Sequence, residues 1–388
     1  MLRYDPYDVE IDNDPYPVWK RLRDEAPLYW NEQHEFYALS RFDDVERGLV
    51  DWQTYSSAKG SILELIKADI ELPPGLVLFE DPPQHDVHRL LLSRVFTPKA
   101  MNALEPRVRE FCARALDEFV GAGGFDFVGD LGAVVPMLVI GMLLGIPEAD
   151  QIAMRDAADE RLHLDTEKPI DVDAIAETFA DYVDWRAEHP SDDLTTKLLT
   201  TEFEDEHGIT RTLERTEVLM YVNLLAGAGN ETTRRLIGWT GQLLADHPDQ
   251  RRELAADRTL VANAVEEILR YESPSPVQAR VVTRDVEHYG QPVPAGSIML
   301  LLNASGNRDE RHFRDPDAFD IHRRIDHHLA FGYGLHFCLG AALARMEGRV
   351  VLDEVLNRWT DWEVDYERAV LDHTSTTRGW LKLPIVTA

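Results

Sequence analysis

The sequence predicts a mainly α-helical protein with small β-sheets, an α+β arrangement in which one large helical domain carries a minor β portion. Three observations lead there. Helical periodicity dominates from about residue 85 to about residue 275. Strand-like runs gather in the first sixty or so residues and again after Tyr271. No repeat, low-complexity tract or Gly/Ser linker divides the 388 residues, so 1–388 reads as a single domain.

In chain order, PVWKRLRDEA (Pro17–Ala26) has helical spacing, and LYW (Leu28–Trp30) and FYALS (Phe36–Ser40) read as short strands. Ser40 is the expected cap of a helix in RFDDVERGLV. Gly60–Glu80, with Pro73-Pro74-Gly75, is expected to be a long loop with apolar patches, and such loops are often lids. Helices follow in DVHRLLLSRVF, LEPRVREFCARALDEFV and AIAETFADYVDWRAEH. Thr216–Asp246 keeps helical character for about 31 residues, roughly 46 Å of helix. The tail returns to strands in ARVVT, SIMLLLN and GWLKLPI.

Composition excludes several functions. With 40 Lys+Arg against 70 Asp+Glu the formal charge is 40 − 70 = −30, which argues against nucleic acid as a partner. The longest uncharged stretch, LGAVVPMLVIGMLLGI (Leu131–Ile146), falls short of the ~20 apolar residues of a membrane span. It carries Pro136 and three glycines between Asp130 and Pro147, so a buried core helix is expected and no membrane insertion. The N-terminal MLRYDPYDVE lacks a basic region followed by an apolar run. Two cysteines, Cys112 and Cys338, cannot build a disulfide framework, which points to a cytoplasmic protein.

Four clusters can carry chemistry. The long helix contains LLAGAGNETT (Leu224–Thr233), where Gly227 and Gly229 each cost about 1 kcal/mol against alanine. Such glycines serve close helix packing, a kink, or the approach of a planar ligand. Glu231 and Thr232 follow at once, and a threonine hydroxyl can take over a carbonyl of the preceding turn. EEILRYESP places Glu267 and Arg270 at i, i+3, where surface decoration is the ordinary reading. His85 and Arg89 stand at i, i+4, a pairing that suits a carboxylate or phosphate and equally suits an ordinary surface. In FGYGLHFCLG (Phe331–Gly340), Gly332, Gly334 and Gly340 allow a positive-φ ligand loop, and Cys338 falls where a helix begins. Read alone, Cys338 is a small buried hydrophobe, a nucleophile with His336 as base, or a metal ligand. A local zinc site is excluded, since no second cysteine lies near.

FGYGLHFCLG fits Phe-Gly-x-Gly-x-His-x-Cys-x-Gly and resembles the cysteine-ligand signature of the cytochromes P-450, the haem-thiolate monooxygenases. The other clusters fall in that family's order. AGNETT (Ala228–Thr233) resembles its oxygen-activation segment, and Glu267–Arg270 its Glu-x-x-Arg pair, with Arg323 of FDIHR completing a triad. His85 and Arg89 resemble its propionate-gripping His-x-x-x-Arg, and Arg280 stands where another propionate-binding arginine is usual. The likeness runs from PYPVWKRLRDEAP to the closing LPI and suggests the soluble bacterial class. Asn230 is an unusual choice where a bulkier or aromatic residue often sits.

The resemblance implies haem b (iron protoporphyrin IX) between the long helix and the Cys338 loop, with Cys338 as iron ligand and Phe331 shielding it. His85, Arg89, Arg280 and His336 would neutralise the propionates, and Ala228 and Gly229 would lie against the ring. Glu267, Arg270 and Arg323 would hold the scaffold. Thr232 would hold oxygen and order a water, and Glu231 would relay protons. Leu224, Ala228 and Thr232 form an i, i+4, i+8 stripe toward the ring. Ile62, Leu65, Leu76, Val77, Val277, Gln278, Val281 and Thr376 complete an aliphatic pocket for a terpenoid, fatty acyl or steroid-like substrate. Arg94, Lys99, Arg345 and Arg349 would dock an acidic ferredoxin, which supplies two electrons for O2 cleavage. A peroxide-driven peroxygenase and a non-catalytic haem sensor are the rival readings; the Glu231–Thr232 pair favours the oxygen-dependent route.

Overall fold

The computed structural model describes residues 2–70, 72–73, 75–151 and 179–387. Its organising element is the helix Arg215–Asp246, 32 residues without interruption. A capping box starts it: the Glu214 side chain accepts from the backbone of Glu217, and Glu217 accepts from Glu214 N at 2.7 Å. Arg211 grips the same Glu217 carboxylate at 2.6 and 2.8 Å. Twenty of its residues are buried, because Val135–Leu144, Val261–Tyr271, Ala341–Arg358 and the strand Arg378–Lys382 pack around it.

Mid-helix Gly229 has a packing reason. A Cβ there would lie 2.6 Å from Ile140 Cδ1, so the missing side chain lets Val135–Leu144 approach the long helix. That neighbour comes from the apolar stretch expected to be one core helix over Leu131–Ile146. It forms two pieces instead, a π-helical turn Phe127–Gly132 and the helix Val135–Leu144, with Pro136 in the second helix's first turn where no N–H is needed. By length and composition Phe127–Leu144 could cross a membrane. Here Val135, Pro136, Met137, Val139, Ile140, Gly141 and Leu144 are buried inside the fold.

The β portion holds a five-stranded sheet in the order Leu28–Asn31, Phe36–Leu39, Ile298–Leu301, Gln278–Val282, Tyr55–Ser56. Ile298–Leu301 runs parallel to Phe36–Leu39 and antiparallel to Gln278–Val282, in a register that sets Met299 opposite Arg280. Gly124–Asp126, Trp362–Val364 and Pro384–Thr387 form a second sheet, and Val370–His373 with Arg378–Lys382 a hairpin against the long helix.

Two local expectations are corrected. Ser40 does not cap the third helix, which spans Phe42–Val50 with Arg41 at its N-cap. The first N–H, of Phe42, is answered instead by Asp309 Oδ2 at 3.0 Å, a partner far along the chain. Gly60–Glu80 is not wholly loop: Leu63–Ala68 is helical with Leu63, Leu65 and Ile66 buried, and Val77–Phe79 makes a 3-10 turn. Of the helix expected in AIAETFADYVDWRAEH, Ala180–Glu188 is present, and residues 174–178 lie outside the described residues, as does Pro74.

Glu267 and Arg270 are not surface decoration. Both side chains are fully buried, joined through Nε–Oε2 at 2.7 Å and Nη2–Oε1 at 2.8 Å. Arg323 Nε reaches Glu267 Oε1 at 3.1 Å, and Arg270 Nη1 donates to the carbonyls of Asn307 and Pro316 at 2.8 and 2.9 Å. The triad thus ties Val261–Tyr271 to the loop that leads toward Cys338. Removing one member leaves a buried charge short of its partner, so Arg270→Met is expected to lower unfolding free energy by about 3–5 kcal/mol. Urea unfolding followed by far-UV circular dichroism checks this; a change below about 1 kcal/mol would place the triad with ordinary surface pairs.

Candidate functional site

Three elements deliver cationic or donor groups to one place. The helix Gln84–Ser93 carries His85 and Arg89 one turn apart, the strand Gln278–Val282 carries Arg280, and the turn Gly334–His336 carries His336. The His85 and His336 rings are 4.6 Å apart. His85 Nδ1 stands 3.2 Å from Asp86 Oδ1, yet Nε2 of both rings is buried with no hydrogen-bond partner among the described residues. Arg280 is 2% exposed and donates only to Ala279 O at 2.8 Å and Gln278 Oε1 at 3.0 Å. Arg89 donates to the carbonyl of Phe337.

The electrostatics record this crowding. Burial pulls the Arg280 guanidinium down to about 10, with Asp81 opposing from a distance. Burial also depresses Arg89. Burial first, then Arg280, His85 and Arg89, holds the His336 imidazole at about 3, so it is neutral as it stands. An unanswered buried charge costs several kcal/mol, and neither arginine has a carboxylate within ion-pair distance among the described residues. An anionic ligand in their midst would relieve all four groups at once.

The loop with Cys338 joins this cluster. Gly332 and Gly334 adopt φ of 65° and 71°, and a Cβ on Gly334 would meet Leu49 O at 2.9 Å. Gly340, expected to do the same, has φ −82° and serves as N-cap of Ala341–Arg358. The loop is closed by Cys338 N donating to Phe331 O at 2.9 Å. The two cysteines differ: Cys112 is fully buried in the core, whereas Cys338 keeps accessible surface. Burial raises the Cys338 thiol, opposed by the Gly340 N–H, Arg89 and Arg345; a bound metal would take its proton outright.

On the long helix, Leu224 and Thr232 are half-buried and Ala228 is exposed, while Asn223, Leu225, Ala226, Asn230 and Thr233 around them are buried. The expected i, i+4, i+8 stripe is therefore the accessible face of a core helix. Thr232 Oγ1 donates to Ala228 O at 2.9 Å, the back-bond expected of it. Glu231 is held by buried Arg235 one turn on, which also binds Asp372 and the Trp380 carbonyl of the C-terminal hairpin. Sequence reading missed Arg235, though the i, i+4 spacing was visible.

The proposed pocket lining divides. Alternation along Gln278–Val282 sends Gln278 and Arg280 to one sheet face and Ala279 and Val281 to the other. Val281 therefore does not line a space with Gln278; it packs in a cluster with Leu63 and Ala279. Gln278 serves the arginine and lies beside the loop, its Nε2 3.4 Å from where a Gly332 Cβ would be. Leu65 and Val77 are 7% and 3% exposed core residues, and Leu76 packs on the core. Ile62, Val277 and Thr376 line a separate cavity of about 10 Å³, room for one water. Arg94 and Lys99 are exposed and Arg349 half-buried, none with a carboxylate partner among the described residues. Arg345 is not free, being bound bidentately by Glu266 at 2.7 and 2.9 Å.

A haem fits this donor set. Its two propionates would answer the orphaned imidazole nitrogens and uncompensated guanidiniums, and Cys338 offers the one accessible thiol among the described residues.

The comparisons with known proteins agree. The family model described as cytochrome P450 matches residues 171–385. A Mycobacterium tuberculosis protein with the provisional name cytochrome P450 123 is 40% identical, over 99% of this chain and 96% of its own length. The solved structure of cytochrome P450 CYP109Q5 from Chondromyces apiculatus superposes with a TM-score of 0.88 at 32% identity, covering 100% of this chain and 98% of that one. CYP109E1 from Bacillus megaterium, in complex with testosterone, gives 0.87 at 29% identity, covering 97% and 99%. With motif loop, buried cation cluster and fold in agreement along the chain, this protein belongs to the cytochrome P450 family and is a monooxygenase-type oxidoreductase.

Proposed function

We propose that this P450 holds haem b, takes two electrons from a ferredoxin, and inserts one oxygen atom of O2 into an apolar small molecule. The balance is R–H + O2 + 2 e⁻ + 2 H⁺ → R–OH + H2O. The observation that carries the haem assignment is the convergence of His85, Arg89, Arg280 and His336, with His85 and Arg280 buried and neither arginine paired to a carboxylate among the described residues. When bound, the haem supplies the activation of O2 and the transfer of one oxygen atom. Cys338 is the thiolate ligand; the Gly340 N–H donates to its sulfur, and the Phe331 carbonyl fixes its backbone.

Thr232 and Glu231 manage protons. As built, the Thr232 hydroxyl proton is committed to Ala228 O, so the side chain offers the pocket its lone pairs. It therefore accepts from a water or protonated oxygen and keeps that group in place. Glu231 keeps 35% of its side-chain surface exposed and can exchange protons with solvent. To deliver them inward its carboxylate must turn from Arg235, which Asp372 shares. This acid–alcohol pair supports the O2-dependent route over a peroxide-driven one.

The aliphatic face at Leu224 and Ala228 supports a terpenoid, fatty acyl or steroid-like substrate, and a solved relative is in complex with testosterone. Ferredoxin docking is supported by Arg94, Lys99 and Arg349, cations without a carboxylate partner among the described residues in a chain of net charge −30. Lys99 lies on the helix Pro98–Asn102, which packs on the helix bearing Arg349. The bacterial relatives support a cytoplasmic home and one domain over residues 1–388.

Thr232→Ala is expected to cut product formation on the order of 100-fold while electron consumption continues, the difference appearing as hydrogen peroxide. Unchanged coupling would remove Thr232 from proton delivery. In the native protein, members of a panel of steroids, terpenoids and fatty acids should move the haem from low to high spin on titration. Absence of any shift across the panel would contradict the substrate class and favour a sensor.

A further inference from the structure

We propose that Glu266 is a positioning residue: it holds the Arg345 guanidinium against Phe331 and so sets the charge felt by the Cys338 sulfur. The proposal rests on the reading of Cys338 as iron ligand. Glu266 sits beside Glu267 in sequence, but one step along a helix turns it about 100°. Glu267 points into the buried triad, while Glu266 reaches the side of the Cys338 loop.

There its carboxylate accepts from Arg345 Nε and Nη2 at 2.7 and 2.9 Å and lies 3.2 Å from His328 Nε2. Burial alone would raise the Glu266 carboxyl; the bonds from His328 and Arg345 hold it at about 2 instead. The Arg345 guanidinium carbon stands 4.5 Å from the Phe331 ring centroid, a cation over an aromatic face. The His328 ring lies 5.7 Å from the same ring, so both groups clamped by Glu266 flank Phe331. Phe331 in turn accepts the Cys338 N–H, and Arg345 is one of the two cations that favour the Cys338 anion.

The chain of contacts fixes the sign. With Glu266 in place, the Arg345 charge is held over the Phe331 ring and partly neutralised there. Without it, a less compensated cation weakens thiolate donation and favours the reduced iron. A lysine at 345 keeps the charge but loses the planar fork and the stacking on Phe331. The pair lines an open groove of about 330 Å³ with Asn263 and Arg349, so substitutions there disturb solvent-facing contacts and not a packed core.

The test is an equilibrium redox titration of haem-loaded native protein, Glu266→Gln and Arg345→Lys, with the Soret position of the reduced CO complex read on the same samples. Glu266→Gln is expected to raise the midpoint potential and Arg345→Lys to lower it, each with a displaced Soret band. If Arg345→Lys matches the native protein while Glu266→Gln shifts, Glu266 acts as a bare charge and the positioning role is wrong. If neither shifts, Glu266 has no part in tuning the site. Failure of the haem-thiolate reading itself is distinguishable, because the native protein would then lack the red-shifted band.

Discussion

A guanidinium as deeply buried as that of Arg280, with no carboxylate at ion-pair distance among the described residues, carries a cost that an anion set beside it would relieve. That constraint governs the architecture. His85 and Arg89 come from a helix near residue 90, Arg280 from the middle of a sheet, and His336 from the turn before Cys338. Three stretches of chain far apart in sequence are made to converge, and each has its own reason for being there. The register that sets Met299 against Arg280 aims the arginine; positive φ at Gly332 and Gly334 bends the loop inward.

Elsewhere the molecule treats buried charge in the opposite manner. Glu267, Arg270 and Arg323 satisfy one another and the surrounding carbonyls, and Arg235 binds Glu231, Asp372 and the hairpin backbone. Glu266 does the same for Arg345 and His328. Arg280, by contrast, donates to Ala279 O and Gln278 Oε1 and has no carboxylate at ion-pair distance among the described residues. Those saturated networks build the frame, whereas the cluster around Arg280 is left for an anion to complete.

Much of this was legible in the sequence because the signals were local. Periodicity located the long helix to within one residue, and FGYGLHFCLG announced the cysteine loop. The Thr232 back-bond followed from its own helix turn. What sequence could not give was set by tertiary contact. Ser40 looked like a cap, but Asp309, distant in the chain, took that role. Gly229 was open to helix packing, a kink or a planar ligand, and Ile140 supplies the packing reason. Val281 and Gln278 looked like neighbours of one pocket, and strand alternation divided them. Glu266 carried no local signal of its own, and its partner Arg345 lies some eighty positions on.

The central claim is that Cys338 is the thiolate ligand of a haem whose propionates answer His85, Arg89, Arg280 and His336. Its most direct test is the absorption spectrum of freshly purified protein, reduced and exposed to carbon monoxide. A strongly red-shifted Soret band is the thiolate signature that the account predicts. Haem-replete native protein showing only the unshifted band of a non-thiolate haem, or no haem at all, would contradict it.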